Sequence, residues 1–181
     1  MALSIFSPVA DWASSVAYQK FSIVKYNDKI YYALVDHTSG GSFDSTKWGG
    51  YTTDPFGSVI SNEDTTDSER PHFFFTPSYG VNVANQPRTK ITQFGEGYQQ
   101  RIPESINNNL LRLSVTFENR SAREATAILH FLNARNGSQA FLYTPPEPYA
   151  TMKLFACFNW SEQSQFYNNI SINAEFTEVP I

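Results

Sequence analysis

Few residues in this chain are of types that do chemistry, and they are scattered: His37, His72, His130, Cys157, and an acid, Glu96, between two glycines. A metal site needs His, Cys or carboxylate ligands at short recurring spacings, and none of the three histidines has such a partner. His130 falls on the polar side of a helical apolar stripe described below and reads as a solvated or edge histidine. Cys157 lies inside an apolar run, with no base or cation beside it in sequence. That is the setting of a buried structural thiol and not of a nucleophile. "FGEGYQ" outwardly resembles a glycine-rich phosphate loop, but it lacks the second half of either fingerprint and leads to a proline instead of a helix. It reads as a strand–turn–strand corner in which Gly95 and Gly97 supply backbone conformations closed to other residues. The acid pair Glu63/Asp64 lies in a polar stretch and reads as solvated. These residues predict no enzyme, no metal and no cofactor. They leave open what needs so specific a turn and so polar a loop as "TQFGEGYQQRIPESINNNL", Thr92 to Leu110.

The elements around that loop follow from composition and pattern. The chain has 181 residues, 41% of them apolar and 15% aromatic, which supplies a core and excludes disorder throughout. Fifteen Phe and ten Tyr tilt the balance toward strands, where such side chains pack well. A net charge of −4 argues against a general nucleic-acid binder gripping phosphates with a basic face. A lone cysteine cannot form an intrachain disulfide, which fits folding in a reducing compartment. The opening "MALSIFSPVADWASS" has neither the basic start nor the apolar run of a signal peptide. No stretch approaches the roughly 20 apolar residues that span a bilayer. The expectation is a soluble protein made in cytoplasm, with no membrane insertion.

Tyr51 to Arg70 is rich in Asp, Glu, Ser and Thr, with only Phe56, Val59 and Ile60 as larger apolar residues. It is expected to be a linker (51–70) between a small module (1–50) and a larger domain (71–181). In the first segment, "FSIVKYNDKIYYALVDH" predicts a hairpin turning at Asn27-Asp28, with Trp12 ahead of it and Trp48 behind a Gly-Gly loop. In the second, Leu111, Leu113, Val115 and Phe117 alternate with Arg112, Ser114, Thr116 and Glu118, the pattern of a half-buried strand. Ala125, Ile128, Leu129 and Leu132 then recur at helical spacing. Ser121 and Glu124 form a capping-box pair and Gly137 stands at the stop, so one helix is expected over about 121–136. "AFLYTPPEP", "MKLFACFNW" and "NNISINAEFTEV" follow as strands. Strands around a single helix predict a mainly β fold, an antiparallel sandwich or barrel, beside a small aromatic-rich β module.

The order of these pieces also carries a resemblance. "RTKITQFGEGYQQRIPESINNNL", then "LSVTF", the capped helix, "GSQAFLYTPP", "FACFNWS" and "INAEFTEV" together resemble the lambda-type minor tail protein M family of long-tailed phages. The pattern is Phe-Gly-acid-Gly-Tyr-x-Gln-Arg over Phe94 to Arg101, a Pro and Asn spacing ending in Asn109, and Phe141 to Pro146. The Cys157–Trp160–Ser161 spacing and an acidic last strand complete it, over about 71–181. The resemblance implies a tail-tube-like β-sandwich or barrel that is a structural part of the tail tip, in the virion and, during assembly, in host cytoplasm. It implies a ring, expected to be homo-hexameric, between the tail tube protein and the distal tail hub proteins. Such a ring lets phage DNA pass without specific binding, and a net-negative chain is compatible with a repulsive lumen. Glu96, Glu104, Glu118 and Glu175 are candidates to face that lumen, or are ordinary surface charge. Loops rich in Asn and Gln suit contacts that are hydrogen-bonded to neighbours yet soluble before assembly. The expected inter-subunit contacts are therefore Phe94, Gly95, Glu96, Gly97, Tyr98, Gln99, Gln100, Arg101, Asn107, Asn108 and Asn109.

Residues 1–50 fall outside that pattern. "DWASSVAYQKFSIVKYNDKIYYALVDHTSG" followed by "STKW" resembles the small carbohydrate-binding modules of chitinases and cellulases. Trp12, Ala17-Tyr18, the hairpin Val24 to Tyr31 and Trp48 fill the recurring places. The chain departs from the pattern at a glycine between pair and hairpin, where it has Phe21, and in having one Trp after the hairpin. This second resemblance implies an adhesin that binds host glycan through Trp12, Tyr18, Tyr26, Tyr31 and Trp48, rings that stack on sugar faces. The same rings could instead dock on neighbouring proteins or form the core of a domain too small to spare them.

Overall fold

The computed structural model describes residues 8–56, 69–78, 80–85, 87–107 and 109–180; Val59, Ile60, Glu63, Asp64 and Asn108 lie outside these. The N-terminal segment holds β1 (Ala17–Tyr18), β2 (Ile23–Tyr26), β3 (Lys29–Ala33), β4 (His37–Thr38) and β5 (Trp48–Gly49). β2, β3 and β5 form a three-stranded antiparallel sheet, and β1 pairs with β4. The hairpin turns at Asn27 (φ 48°) and Asp28 (φ 60°), as expected. Two successive left-handed residues give the turn whose twist matches that of the strands.

Phe21 is left-handed as well, at φ 66°, the position where the resembling modules carry glycine. The conformation is fixed on both sides. Phe21 N–H donates to the Ala33 carbonyl at 2.8 Å, and Ala33 N–H returns a bond to Ser22 at 2.9 Å. The ring packs on Phe75 at 5.8 Å, so contacts offset a backbone strain that glycine would avoid.

The polar stretch 51–70 is paired at its ends. β6 (Tyr51–Thr53) and β7 (Glu69–Pro71) run antiparallel. The carboxylate of Asp54, the residue after β6, and the guanidinium of Arg70, in β7, form a buried ion pair. Asp54 also accepts from Phe56 N–H at 2.9 Å.

The main body is a five-stranded antiparallel sheet with one helix on it. Its strands are β8 (Asn82–Asn85), β11 (Leu111–Arg120), β12 (Phe141–Tyr143), β13 (Lys153–Phe166) and β14 (Asn169–Glu178), ordered β12-β13-β14-β11-β8. A separate two-stranded ribbon, β9 (Thr89–Gln93) and β10 (Gln99–Pro103), is inserted between β8 and β11. The expected alternation holds: Leu111, Leu113, Val115 and Phe117 are buried. Leu113, Val115 and Phe117 stand opposite Phe176, Ala174 and Ile172 of β14. Against them lies α1 (Ala122–Arg135), burying the expected Ala125, Ile128, Leu129 and Leu132, and also Ala127 and Phe131.

The helix ends match the sequence signals with two changes. Ser121 caps the start by accepting from Glu124 N–H, but the Glu124 carboxylate takes Arg120 at 2.9 Å, so the reciprocal half of the capping box is an ion pair. At the other end Asn136 (φ 45°) turns left-handed first and Gly137 (φ 68°) follows. Phe73, the first of three consecutive phenylalanines, sits at the centre of the core. Its ring lies 5.1–5.8 Å from those of Phe75, Phe117, Phe131, Phe141, Tyr143 and Phe176. The two segments share this core, because Tyr32 is buried in it and Phe21, Ile23 and Ile30 pack on it.

Candidate assembly surface

The groups that could do chemistry are placed structurally. Cys157 is buried, and that burial pushes its thiol up to about 11, away from the reactive thiolate. His130 corrects the sequence reading: it is half-buried, with Nδ1 3.0 Å from Tyr32 Oη. It lies off the stripe facing the sheet, yet the N-terminal segment covers that side of the helix. Burial, then the nearby Arg135 charge, lowers its pKa, and burial alone lowers that of His72. Among the described residues no group of three or more His, Cys, Asp or Glu is placed to hold a metal ion, and no helix is long and apolar enough to cross a membrane.

The stretch that sequence singles out forms the tip of the β9–β10 ribbon. Gln99 pairs with Gln93 and the register runs to Pro103 opposite Thr89. Phe94 N–H closes the turn on Tyr98 O at 2.8 Å. The left-handed residues are Glu96 (φ 67°) and Gly97 (φ 81°). Gly95 is not among them, which corrects the expectation that both glycines serve that purpose. The requirement at Gly97 is conformational, since an added Cβ would meet nothing within 4 Å.

Apart from half-buried Thr92, every residue from Thr89 to Pro103 is exposed. Tyr98 is 70% accessible, Phe94 50%, and their rings lie 5.8 Å apart; Ile91 and Ile102 are exposed too. Asn107 and Asn109 follow, exposed, on the way to β11. A two-stranded ribbon by itself is marginal in water, so this one presents apolar side chains without a core to cover them. The lumen candidates divide: Glu96 and Glu104 belong to the ribbon, whereas Glu175 is exposed on the sheet opposite Ser114 and Glu118 is near the end of β11.

A second exposed feature was not legible in the sequence. β13 runs to Phe166, past Trp160 where the apolar run ends. β12 covers only Lys153–Phe155 of its outer edge. After a bulge at Phe158, the stretch Asn159–Phe166 pairs with β14 on one side and with no other strand among the described residues. The hairpin turns through Tyr167, 97% accessible, and Asn168 (φ 60°). Asn168 Oδ1 accepts from Ala122 N–H at 2.8 Å, which ties the turn to the start of the helix.

The glycan candidates are brought together, around a residue that sequence reasoning missed. Phe43 stacks on Tyr26 at 4.2 Å and 5°, and on Trp48 at 5.6 Å and 18°; Trp12 and Tyr31 also contact it. Tyr18 meets Trp48 edge-on at 5.1 Å. Trp48 is 5% accessible and belongs to the module's own small core; Trp12, Tyr18, Tyr26 and Tyr31 are half-buried. The Gly-Gly pair before Phe43 is no signal for it: neither glycine is left-handed, and a Cβ on either would meet nothing within 4 Å.

The comparisons agree with the resemblance carried by the second segment. Residues 71–180 match the family model for phage minor tail proteins. Tail tip protein M of Escherichia phage lambda is 36% identical over 100 residues, 55% of this chain and 89% of that protein. A chain from the tail of an empty GTA particle, solved with C6 symmetry, superposes with a TM-score of 0.43 at 10% identity. That superposition covers 72% of this chain and 90% of that one. On the match over residues 71–180, this chain belongs to the phage minor tail protein family and is a structural component of a phage tail.

Proposed function

We propose that the chain forms a closed ring at the tail tip. In this reading the ring joins the end of the tail tube to the distal hub proteins and lets DNA pass without binding it specifically. The expected symmetry is six-fold, the copies touching through Phe94 to Arg101 and the asparagines after them. The observation that carries the reading is the ribbon: Ile91 and Ile102 lie exposed on two strands that pair only with each other among the described residues, and Phe94 and Tyr98 lie exposed at the turn that joins them. In a chain of this family, the neighbour that covers them is another tail subunit. A head-to-tail contact between identical chains closes into a ring when its rotation allows. The net charge of −4 suits a lumen that DNA must traverse.

Electron microscopy of isolated tails, with gold-labelled antibody against this chain, tests the reading. A ring of copies at the distal end is expected. Label along the shaft, or a single copy per tail, would overturn it.

A further inference from the structure

The outer edge of β13 and the β9–β10 ribbon each lack what the other has. Asn159–Phe166 presents eight residues of strand whose outer side is unpaired among the described residues. Folded proteins blunt such edges with prolines, lysines, bulges or covering segments; "NWSEQSQF" has no proline or lysine, and its pairing with β14 is regular from Asn159 to Ser164, shifting only between Ser164 and Phe166. The ribbon offers two five-residue strands, each paired on one side only. Charge distinguishes the two surfaces. Lys90 and Arg101 are the charged residues of the ribbon strands, and Glu162 is the one charged residue of the β13 edge. Apolar side chains are exposed on both, Ile91 and Ile102 on the ribbon and Phe166 on β13.

We infer that the β9–β10 ribbon of one copy adds to the free edge of β13 in the next copy, extending its sheet, with Glu162 set against Lys90 or Arg101. This rests on the ring reading and names its contact. Strand addition gives affinity through main-chain hydrogen bonds, and side chains on alternate positions set the register. The two surfaces are different patches of the chain, so the contact is head-to-tail and repeats around a ring. A lipid surface is a poorer occupant of an edge with open N–H and C=O groups, which hydrocarbon does not tolerate.

The test is disulfide trapping in isolated tails built with the full-length chain. Thr92→Cys is paired in turn with Glu162→Cys, Ser164→Cys and Phe166→Cys, and Val35→Cys with Thr92→Cys serves as control. A ladder of linked subunits for at least one β13 partner, absent from the control, is expected. Tails that show the ring by microscopy but give no ladder with any β13 partner would overturn the strand addition and leave the ring. Tails without a ring of this chain would overturn both. A charge reversal gives a second readout. Glu162→Lys is expected to reduce incorporation into tails, and Arg101→Glu or Lys90→Glu in the same chain to restore it. Unchanged incorporation of Glu162→Lys would remove the electrostatic match and the pairing built on it.

Discussion

Tyr32 Oη and His130 Nδ1 stand 3.0 Å apart, joining the N-terminal sheet to the helix across 98 positions of sequence. Tyr32 is buried to 1% accessibility, with rings of Phe74, Phe75 and Phe131 around it. The bond therefore lies within a shared core, and the N-terminal segment is packed on the tail domain through it.

That bond sets the first expectation. Tyr32→Phe keeps the ring and removes one hydrogen bond, which should cost about 0.5–1.5 kcal/mol. Tyr32→Ala also leaves a cavity and should cost about 3–5 kcal/mol, by analogy with other large aromatic truncations. Urea unfolding of the full chain measures both. A single transition that moves as a whole would show that the two segments unfold together.

Stability should fall in mild acid. His130 and His72 both have pKa values lowered in the fold, chiefly by burial, from an ordinary value of 6.5. Below that value the unfolded chain takes up protons that the folded chain resists, and stability is lost as pH falls. Unfolding free energies between about pH 7.5 and pH 5 should decline. Replacing His130 by Gln should flatten the decline; an unchanged slope in that variant would place the effect elsewhere.

Phe21 separates shape from hydrophobicity. At φ 66° a β-branched residue is far more strained than an unbranched one. Phe21→Ile should therefore be less stable than its isomer Phe21→Leu by about 1 kcal/mol, although both bring the same number of carbons to the contact with Phe75. Thermal melts of the two variants make the comparison. Equal stability would mean that the backbone can relax at Ser22.

The parts of the fold legible in the sequence are those whose cause is local. Leu111–Phe117 alternates because one face of β11 meets the helix, and Ser121, Asn136 and Gly137 mark the helix ends through their own chemistry. The outer half of β13 carries no such signal: "SEQSQF" is polar, and its extension is imposed by pairing with β14. The ends of the 51–70 stretch likewise look like linker, because Asp54 and Arg70 are polar until the fold brings them together. At the candidate surface the turn at Phe94–Tyr98 was legible from its glycines. Which of its residues turn left-handed was not, and neither was the placement of Phe43, since both depend on contacts distant in sequence.

The Asp54–Arg70 pair should then behave as a fixed part of the core. Asp54 carries no side-chain exposure and Arg70 only 6%, so water does little to screen either charge. Removing one partner from a buried pair typically costs about 3–5 kcal/mol, because the other charge stays buried, whereas replacing both with apolar residues can be nearly neutral. Asp54→Leu and Arg70→Met are each expected to destabilise strongly, and the two together to recover most of the loss. The comparison is a double-mutant cycle in urea. Proteolysis gives an independent readout, because opening of the β6–β7 pair should expose these two strands to cleavage in Asp54→Leu before the main sheet unfolds. Additive losses in the cycle, with no change in cleavage, would show that the two side chains act separately and that β6 and β7 are held together by their backbone alone.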